Sequence, residues 1–242
     1  MVSSVVLAVL AGGWIALGLL ATPPLLGWAA VAALGFTVAG HVLLNTRGTG
    51  AQNLAVFAGV LVLVVGAALV SGVAVAIGLA ALAVMIAYAR VLDRRGPLGL
   101  LTISALAGLP FMYGAVAVGR PAGGVIPWIL ASWLQLIRIL VSDIETEPVD
   151  RELGRQNAAI RLAGSRAVIV SAALSLGFIP TSLVLPSRAG YGGAYFLVAL
   201  FAHLAVLVTA ARLIVGRVDG LGRLLKGAMV IGAAAMIAGR IT

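Results

Sequence analysis

Five of the seven acidic residues of this chain lie within ten consecutive positions, from Asp143 to Glu152. On a helix, Asp143, Glu147 and Asp150 are spaced i, i+4 and i+7, which places their carboxylates on one face. Carboxylates this close repel one another unless a cation compensates their charge. Mg²⁺ is one such cation, because proteins hold it through one or two carboxylates together with the phosphate oxygens of a substrate. The cluster therefore indicates a candidate magnesium site.

The arginines that follow the cluster are a second source of compensating charge. They are Arg151, Arg155 and Arg161. A pair such as Glu147 with Arg151, spaced i,i+4, would be a weak solvated ion pair in a loop beside a membrane. Pro148 lies among the acids, and proline fits best in the first turn of a helix. This predicts that a new helix begins near Thr146 or Glu147.

The composition of the chain determines which elements can position these residues. The chain is 62% hydrophobic and 10% charged, and its mean hydropathy is +1.19. A soluble domain is about 45–50% apolar and about 25% charged, so soluble enzymes and disordered tails are excluded. The absence of Cys excludes disulfide scaffolds, thiolate nucleophiles and Cys-based metal sites. Long apolar runs predict an all-α, polytopic transmembrane helical bundle.

The apolar runs divide the chain into about nine candidate spans. These are Val5–Ala21, Leu25–Leu44, Leu54–Val70, Val73–Tyr88, Leu98–Val118, Val125–Val141, Val168–Leu185, Gly193–Val215 and Leu224–Ile241. Nine spans of about 20 residues leave roughly 60 residues for all connections. We therefore expect a single transmembrane helical domain over residues 1–242. Ser71 and Gly72 predict a tight hairpin between the third and fourth spans.

The chain has a net charge of +9. The connections between spans alternate between the two sides of the membrane, and the basic residues are distributed unevenly between these sides. Twelve basic residues fall on one side, namely Arg47, Arg90, Arg94, Arg95, Arg151, Arg155, Arg161, Arg166, Arg212, Arg217, Arg223 and Lys226. The other side has Arg120, Arg188 and Arg240. The positive-inside rule then places the N-terminus and the acidic 143–152 loop in the cytoplasm of a cell-membrane protein. Because the basic residues form no contiguous solvated patch, no nucleic-acid partner is expected.

Small residues spaced four apart predict where helix backbones approach each other. The candidate pairs are Ala76 with Ala80, Ser104 with Gly108, and Ala228 with Gly232. His203 lies in the middle of the eighth span, where an ionisable residue is either functional or a neutral imidazole bonded to a backbone carbonyl. His41 and Asn45 share a face of the second span. They either line a cavity or form an interhelical hydrogen bond.

Two stretches of the chain carry a family resemblance. Residues 138–146, RILVSDIET, followed by DRELGR at 150–155 and AIRL at 159–162, resemble the second aspartate-rich region of the UbiA superfamily of intramembrane prenyltransferases. Residues 108–115, GLPFMYGA, with Tyr88 before them, resemble the fourth and fifth helices of that family. The resemblance covers roughly residues 25 to 240.

The resemblance implies a bundle of nine helices around a central cavity that opens towards the cytoplasm. Members bind a prenyl diphosphate through Mg²⁺ and transfer the prenyl group to an aromatic or lipid acceptor in the membrane. Here it implies Asp143, Asp150 and Glu147 as metal ligands. Contacts to the diphosphate would come from Arg138, Arg151, Arg155 and Asn45.

The chain departs from the family pattern at its first acidic motif, N-D-x-x-D. Residues 45–49 read NTRGT, so that Asn45 is retained and both aspartates are absent. In the second region Thr146 stands where the family has Asp. Either Glu147 substitutes as a ligand or Thr146 caps a helix.

Three functions remain as hypotheses. The first is a Mg²⁺-assisted UbiA-type prenyltransferase. The second is a catalytically impaired homologue that binds lipid or acts as a scaffold. The third is a small membrane transporter, although such proteins typically carry ionisable groups near the midplane in two related halves.

Overall fold

The computed structural model describes residues 2–20, 23–45, 50–91, 96–154 and 156–241. Within these ranges every regular element is a helix: nine long helices and a short one, α7. Their bounds are α1 Val2–Leu17, α2 Pro24–Asn45, α3 Gly50–Ala68, α4 Gly72–Arg90, α5 Pro97–Ala117, α6 Ala122–Glu152, α7 Ala158–Arg161, α8 Ser165–Arg188, α9 Gly193–Ile214 and α10 Leu221–Ile241. The predicted all-α bundle is confirmed.

The lengths of the helices match the thickness of a bilayer. In the part of the chain that the structure describes, seven helices have the length and composition to cross a membrane. The apolar parts of α1 and α3, Val5–Leu17 and Gln52–Ala68, are shorter. Helices satisfy their own backbone hydrogen bonds, which is required where hydrocarbon offers no partner. The chain is thus built as a multi-pass membrane protein.

The predicted hairpin between the third and fourth spans is present. Helix α3 ends at Ala68 and α4 begins at Gly72, and the hydroxyl of Ser71 accepts a hydrogen bond of 3.1 Å from the backbone N–H of Ala74. This side chain satisfies one of the N–H groups that the first turn of a helix leaves without a partner.

Close backbone approach occurs on one of the three predicted small-residue faces. A Cβ at Gly108 of α5 would lie 2.8 Å from the carbonyl oxygen of Trp128 on α6, and Ser104 on the same face is buried. On α10 the predicted face is half correct: Ala228 is buried in the core, but a Cβ at Gly232 would meet open space. The prediction is wrong for Ala76 and Ala80, which are both exposed.

On α4 it is the neighbouring face, with Ala74, Gly78 and Ala81, that is buried. The four-residue spacing recurs on several faces of a helix rich in small residues, so spacing alone does not select the face that meets a neighbour.

Helix α6 continues through Pro148, so the prediction of a new helix near Thr146 or Glu147 is wrong. Pro148 lies in the last turns of α6, where its missing N–H costs the single helical bond to the carbonyl of residue 144. Side-chain contacts spaced i,i+4 hold the chain across the proline. The Thr146 hydroxyl donates to Asp150 at 2.9 Å, and Arg151 donates to Glu147 at 2.7 Å.

A buried polar cluster joins α8 to α9. Pro186 has no N–H to bond the carbonyl of Ser182 one turn earlier, and the Tyr195 hydroxyl donates to that carbonyl instead, at 2.6 Å. The Ser182 hydroxyl lies 2.7 Å from Nε2 of His203. Nε2 of His203 therefore has a hydroxyl as its partner, whereas the neutral-imidazole alternative named a backbone carbonyl.

We expect Tyr195→Phe to lower the free energy of unfolding by about 1–3 kcal/mol, because it leaves a buried carbonyl without a donor. Thermal unfolding in detergent measures this change. Tyr113→Phe is the matched control. The Tyr113 hydroxyl is buried without a hydrogen-bond partner among the described residues, so its removal should leave the free energy of unfolding unchanged. Equal losses of unfolding free energy in the two variants would contradict a stabilising role for the hydrogen bond from Tyr195 to the Ser182 carbonyl.

Candidate functional site

The candidate site lies where α6 ends and the chain folds back through α7. Asp143 and Asp150 are both half-buried on one face of α6, as their spacing predicts. The two carboxylates interact electrostatically and repel each other. Their hydrogen-bond partners come from Thr146 on α6, from the N-cap Asn157 and from the first residue of α7, Ala158.

Asp143 binds the N-terminus of α7. Its Oδ2 accepts a hydrogen bond of 3.0 Å from the backbone N–H of Ala158. The N-terminal N–H groups of a helix have no partner within the helix and carry partial positive charge, so that a carboxylate there is stabilised.

Asn157 was not predicted from the sequence and proves to connect the two aspartates. Its Nδ2 donates to the backbone carbonyl of Asp143 at 3.0 Å and to Oδ2 of Asp150 at 2.8 Å. Its Oδ1 accepts from the N–H of Ile160 at 2.9 Å and so caps α7. The signal in the sequence is an asparagine directly before the helical run at 158–161, which is the preferred N-cap pattern.

Thr146 does not cap a helix, which corrects one of the two alternatives for this position. It lies inside α6, and its hydroxyl donates to Oδ2 of Asp150 at 2.9 Å. Asp150 Oδ2 thus accepts from both Thr146 and Asn157, which together orient its carboxylate.

Glu147 lies in an ion pair with Arg151. Both Nε and Nη2 of Arg151 donate to Oε1 of Glu147, at 3.0 and 2.7 Å. The Arg151 side chain is 59% exposed and that of Glu147 is 16% exposed. The Glu147 carboxylate also borders the turn before α8, since a Cβ at Gly164 would lie 3.3 Å from Oε1.

Glu145 reaches a different helix. Its Oε1 accepts a hydrogen bond of 3.1 Å from the backbone N–H of Gly222, in the first turn of α10. A Cβ at Gly222 would lie 2.7 Å from Oε2 of the same carboxylate, so a side chain at this position would displace the carboxylate. Glu145 therefore ties the acidic end of α6 to the start of α10.

Arg138 lies one and a half turns before Asp143 on α6 and is half-buried. Its Nε donates to Oε1 of Gln135 at 3.0 Å. Arg138 and Arg161 both interact electrostatically with the Asp143 carboxylate. The pair of aspartates is thus flanked by positive charge from α6 and from α7.

Two predicted residues fall outside what the structure describes. Arg155 lies outside the described residues, and Asn45 ends α2 with a side chain that is also outside them. His41, one turn earlier on α2, is exposed.

The carboxylates at this end of α6 are candidate ligands for Mg²⁺. Among the described residues no group of three or more His, Asp or Glu side chains could hold a metal. Asp143 and Asp150 together supply two carboxylates, which is the number that Mg²⁺ takes from a protein when substrate phosphates complete its shell. The residues present therefore fit a single Mg²⁺ shared with a phosphate ligand.

An apolar cavity of about 30 Å³ is lined by residues of the first five helices, α1 to α5. Phe36, Leu63, Leu106 and Tyr113 are among its lining residues. Leu106 and Tyr113 lie near Gly108 on α5, which contacts α6 at Trp128 and Ser132. These contacts are about three to four turns before Asp143, or roughly 16–22 Å along that helix. The cavity thus lies deeper in the bundle than the polar end that carries the aspartates.

Comparisons with known proteins agree on one family. The model of the UbiA prenyltransferase family matches residues 44–231. The digeranylgeranylglyceryl phosphate synthase of Halobacterium salinarum is 32% identical over 197 residues, which are 81% of this chain and 70% of the relative. The synthase of the same name from Natronomonas pharaonis is 30% identical over 170 residues, 69% of this chain and 59% of the relative.

Two solved structures share the fold at 19% sequence identity. One comes from work on digeranylgeranylglyceryl phosphate synthase in membranes, with a TM-score of 0.82 over 98% of this chain and 93% of the other. The second is the apo structure of a UbiA homolog from Aeropyrum pernix K1, with a TM-score of 0.79 over 98% of both chains. With the family model matching most of its length, this chain belongs to the UbiA prenyltransferase family.

Proposed function

We propose that this chain transfers a prenyl group from a prenyl diphosphate to an acceptor within the membrane, assisted by Mg²⁺. The observation that carries the proposal is the pairing of Asp143 and Asp150 through Asn157 at the polar end of an apolar bundle. A diphosphate bound there would place its prenyl chain among the apolar helices.

The relatives named above favour a glyceryl phosphate acceptor that already carries one prenyl chain, since the product for which they are named, digeranylgeranylglyceryl phosphate, carries two. In that reaction the bond between C1 of the prenyl group and the diphosphate oxygen breaks, and the diphosphate leaves with the electron pair. The acceptor hydroxyl oxygen forms the new bond to C1 and loses its proton. The products are an ether and inorganic diphosphate.

Each residue of the site has a role in this proposal. Asp143 and Asp150 hold the cation, and Mg²⁺, when bound, neutralises charge on the leaving diphosphate. Arg138, on the same helix, adds positive charge beside it. Arg151, Arg155 and Asn45 are proposed as further contacts to the diphosphate, and Glu147 as a ligand if it leaves its ion pair with Arg151.

A second candidate function follows from the missing first motif. Residues 45–49, NTRGT, supply no carboxylate, and a second metal site would need at least one. A homologue that binds a prenyl diphosphate without turning it over would keep Asp143 and Asp150 and lose the carboxylates of the first acidic motif. Product formation separates this candidate from the first.

Asp143→Asn and Asp150→Asn are each expected to lower turnover about a hundredfold, because several kcal/mol of charge stabilisation on the diphosphate is lost. Both changes keep an oxygen for the hydrogen bonds to α7. The assay combines radiolabelled geranylgeranyl diphosphate, Mg²⁺ and a panel of prenylated glyceryl phosphates and aromatic acceptors.

Glu152→Gln is the matched control, since Glu152 is an exposed acid of the same segment. Turnover that survives in both aspartate variants would contradict the assigned site. Mg²⁺-dependent binding of the diphosphate by the wild type, without product from any acceptor, would favour the second candidate.

Glu145 has a structural role in this scheme, unlike the two aspartates. We expect Glu145→Ala to lower the free energy of unfolding by about 1 kcal/mol, because the first turn of α10 loses its acceptor. The Mg²⁺ concentration that gives half-maximal turnover should not change. A shift in that concentration, measured with the same assay, would instead make Glu145 part of the metal site.

The distribution of basic residues supports a topology in which the N-terminus and the 143–152 loop lie in the cytoplasm. Because the chain has no Cys, single cysteines report their side of the membrane cleanly. In intact cells, a membrane-impermeant maleimide should label Arg188→Cys and leave Glu152→Cys unlabelled until the cells are opened. Both positions are exposed. The reverse pattern would invert the topology.

A further inference from the structure

Both polar atoms of the Asn157 side chain form hydrogen bonds at the candidate site. The Nδ2 group bonds the backbone carbonyl of Asp143 and the carboxylate of Asp150. The Oδ1 atom accepts from Ile160 and begins α7. Because the next residue, Ala158, donates its N–H to the Asp143 carboxylate, the cap that Asn157 provides also directs that N–H.

The two carboxylates repel each other. Within α6 the Thr146 hydroxyl contacts the Asp150 carboxylate, whereas the Asp143 carboxylate receives its hydrogen bond from Ala158 of α7. The amide hydrogens of Asn157 carry partial positive charge and lie against Asp150 and the backbone of Asp143. The contacts of α7 thus orient both side chains before any cation arrives, and such preorganisation lowers the cost of binding.

Only asparagine and glutamine combine two N–H donors with a carbonyl acceptor in one neutral side chain, and asparagine is the shorter, favoured cap. Serine and threonine keep the cap acceptor but lose the pair of amide donors. This difference separates the capping role of Asn157 from its contacts with the aspartates.

We infer that Asn157 is a positioning residue for the Mg²⁺–diphosphate site: its amide orients the Asp150 carboxylate, and its cap on α7 directs the Ala158 N–H to the Asp143 carboxylate. The inference rests on the proposed function, since it takes a prenyl diphosphate as the ligand. It assigns to Asn157 no contact with substrate and no step in the reaction.

The experiment titrates Mg²⁺ into the purified full-length chain in detergent, with geranylgeranyl diphosphate present and no acceptor. The rise of the unfolding temperature with Mg²⁺ reports binding without turnover. Asn157→Ser and Asn157→Thr should unfold within a few degrees of the wild type in the absence of Mg²⁺. Their midpoint Mg²⁺ concentration should be higher by about tenfold to a hundredfold, the usual effect of removing a hydrogen bond to a metal ligand.

Ser71→Ala is the matched control, because it removes a helix cap of the same kind at the α3–α4 hairpin. It should lower the unfolding temperature and leave the Mg²⁺ midpoint unchanged. In the turnover assay, the two Asn157 variants should need more Mg²⁺ but approach the wild-type kcat at saturation.

A Mg²⁺ midpoint within twofold of the wild type in both hydroxyl variants overturns the role of Asn157 and leaves the proposed function intact. Unfolding of both hydroxyl variants without Mg²⁺ assigns Asn157 to stability alone and also overturns it. A wild-type chain with no Mg²⁺-dependent shift overturns the proposed function, and the role of Asn157 with it.

Discussion

Hydrocarbon offers a peptide group no hydrogen-bond partner, and the architecture of this chain follows from that constraint. Backbone N–H and C=O groups bond one another within a helix, and nine long helices make up most of the described ranges. At Pro186 a side chain supplies the missing donor, since Tyr195 donates to the Ser182 carbonyl that this proline leaves without a helical donor. The close packing at Gly108 adds van der Waals contact, which replaces the hydrophobic effect as the force between helices in lipid.

The same medium penalises charge, so that the acidic residues collect at one end of the bundle. There they do not act as one cluster. Asp143 and Glu145 each bind the N-terminal N–H groups of a following helix, α7 and α10 respectively. Asp150 is held by Asn157 and Glu147 by Arg151. The candidate site is thus a pair of carboxylates whose hydrogen-bond partners come from α6 and from the N-terminal end of α7.

Much of the fold could be predicted from hydrophobic periodicity and turn residues. The nine apolar segments correspond to the nine long helices, and the Ser71 hairpin was identified correctly. The break expected at Pro148 does not occur: the proline removes one backbone hydrogen bond of α6, and two i,i+4 side-chain contacts span it. The face expected at Ala76 was wrong because small residues occur around the whole of α4 and only packing selects among them.

From the sequence alone follow the membrane environment, the helices and the shared face of Asp143 and Asp150. Those follow from composition and from the fixed geometry of a single helix. The hydrogen-bond partner of each carboxylate, in contrast, depends on how the helices pack. Asn157 lies 14 residues from Asp143 and Gly222 lies 77 residues from Glu145. No local periodicity reports contacts over such separations, because they exist only after α7 and α10 have packed against the end of α6.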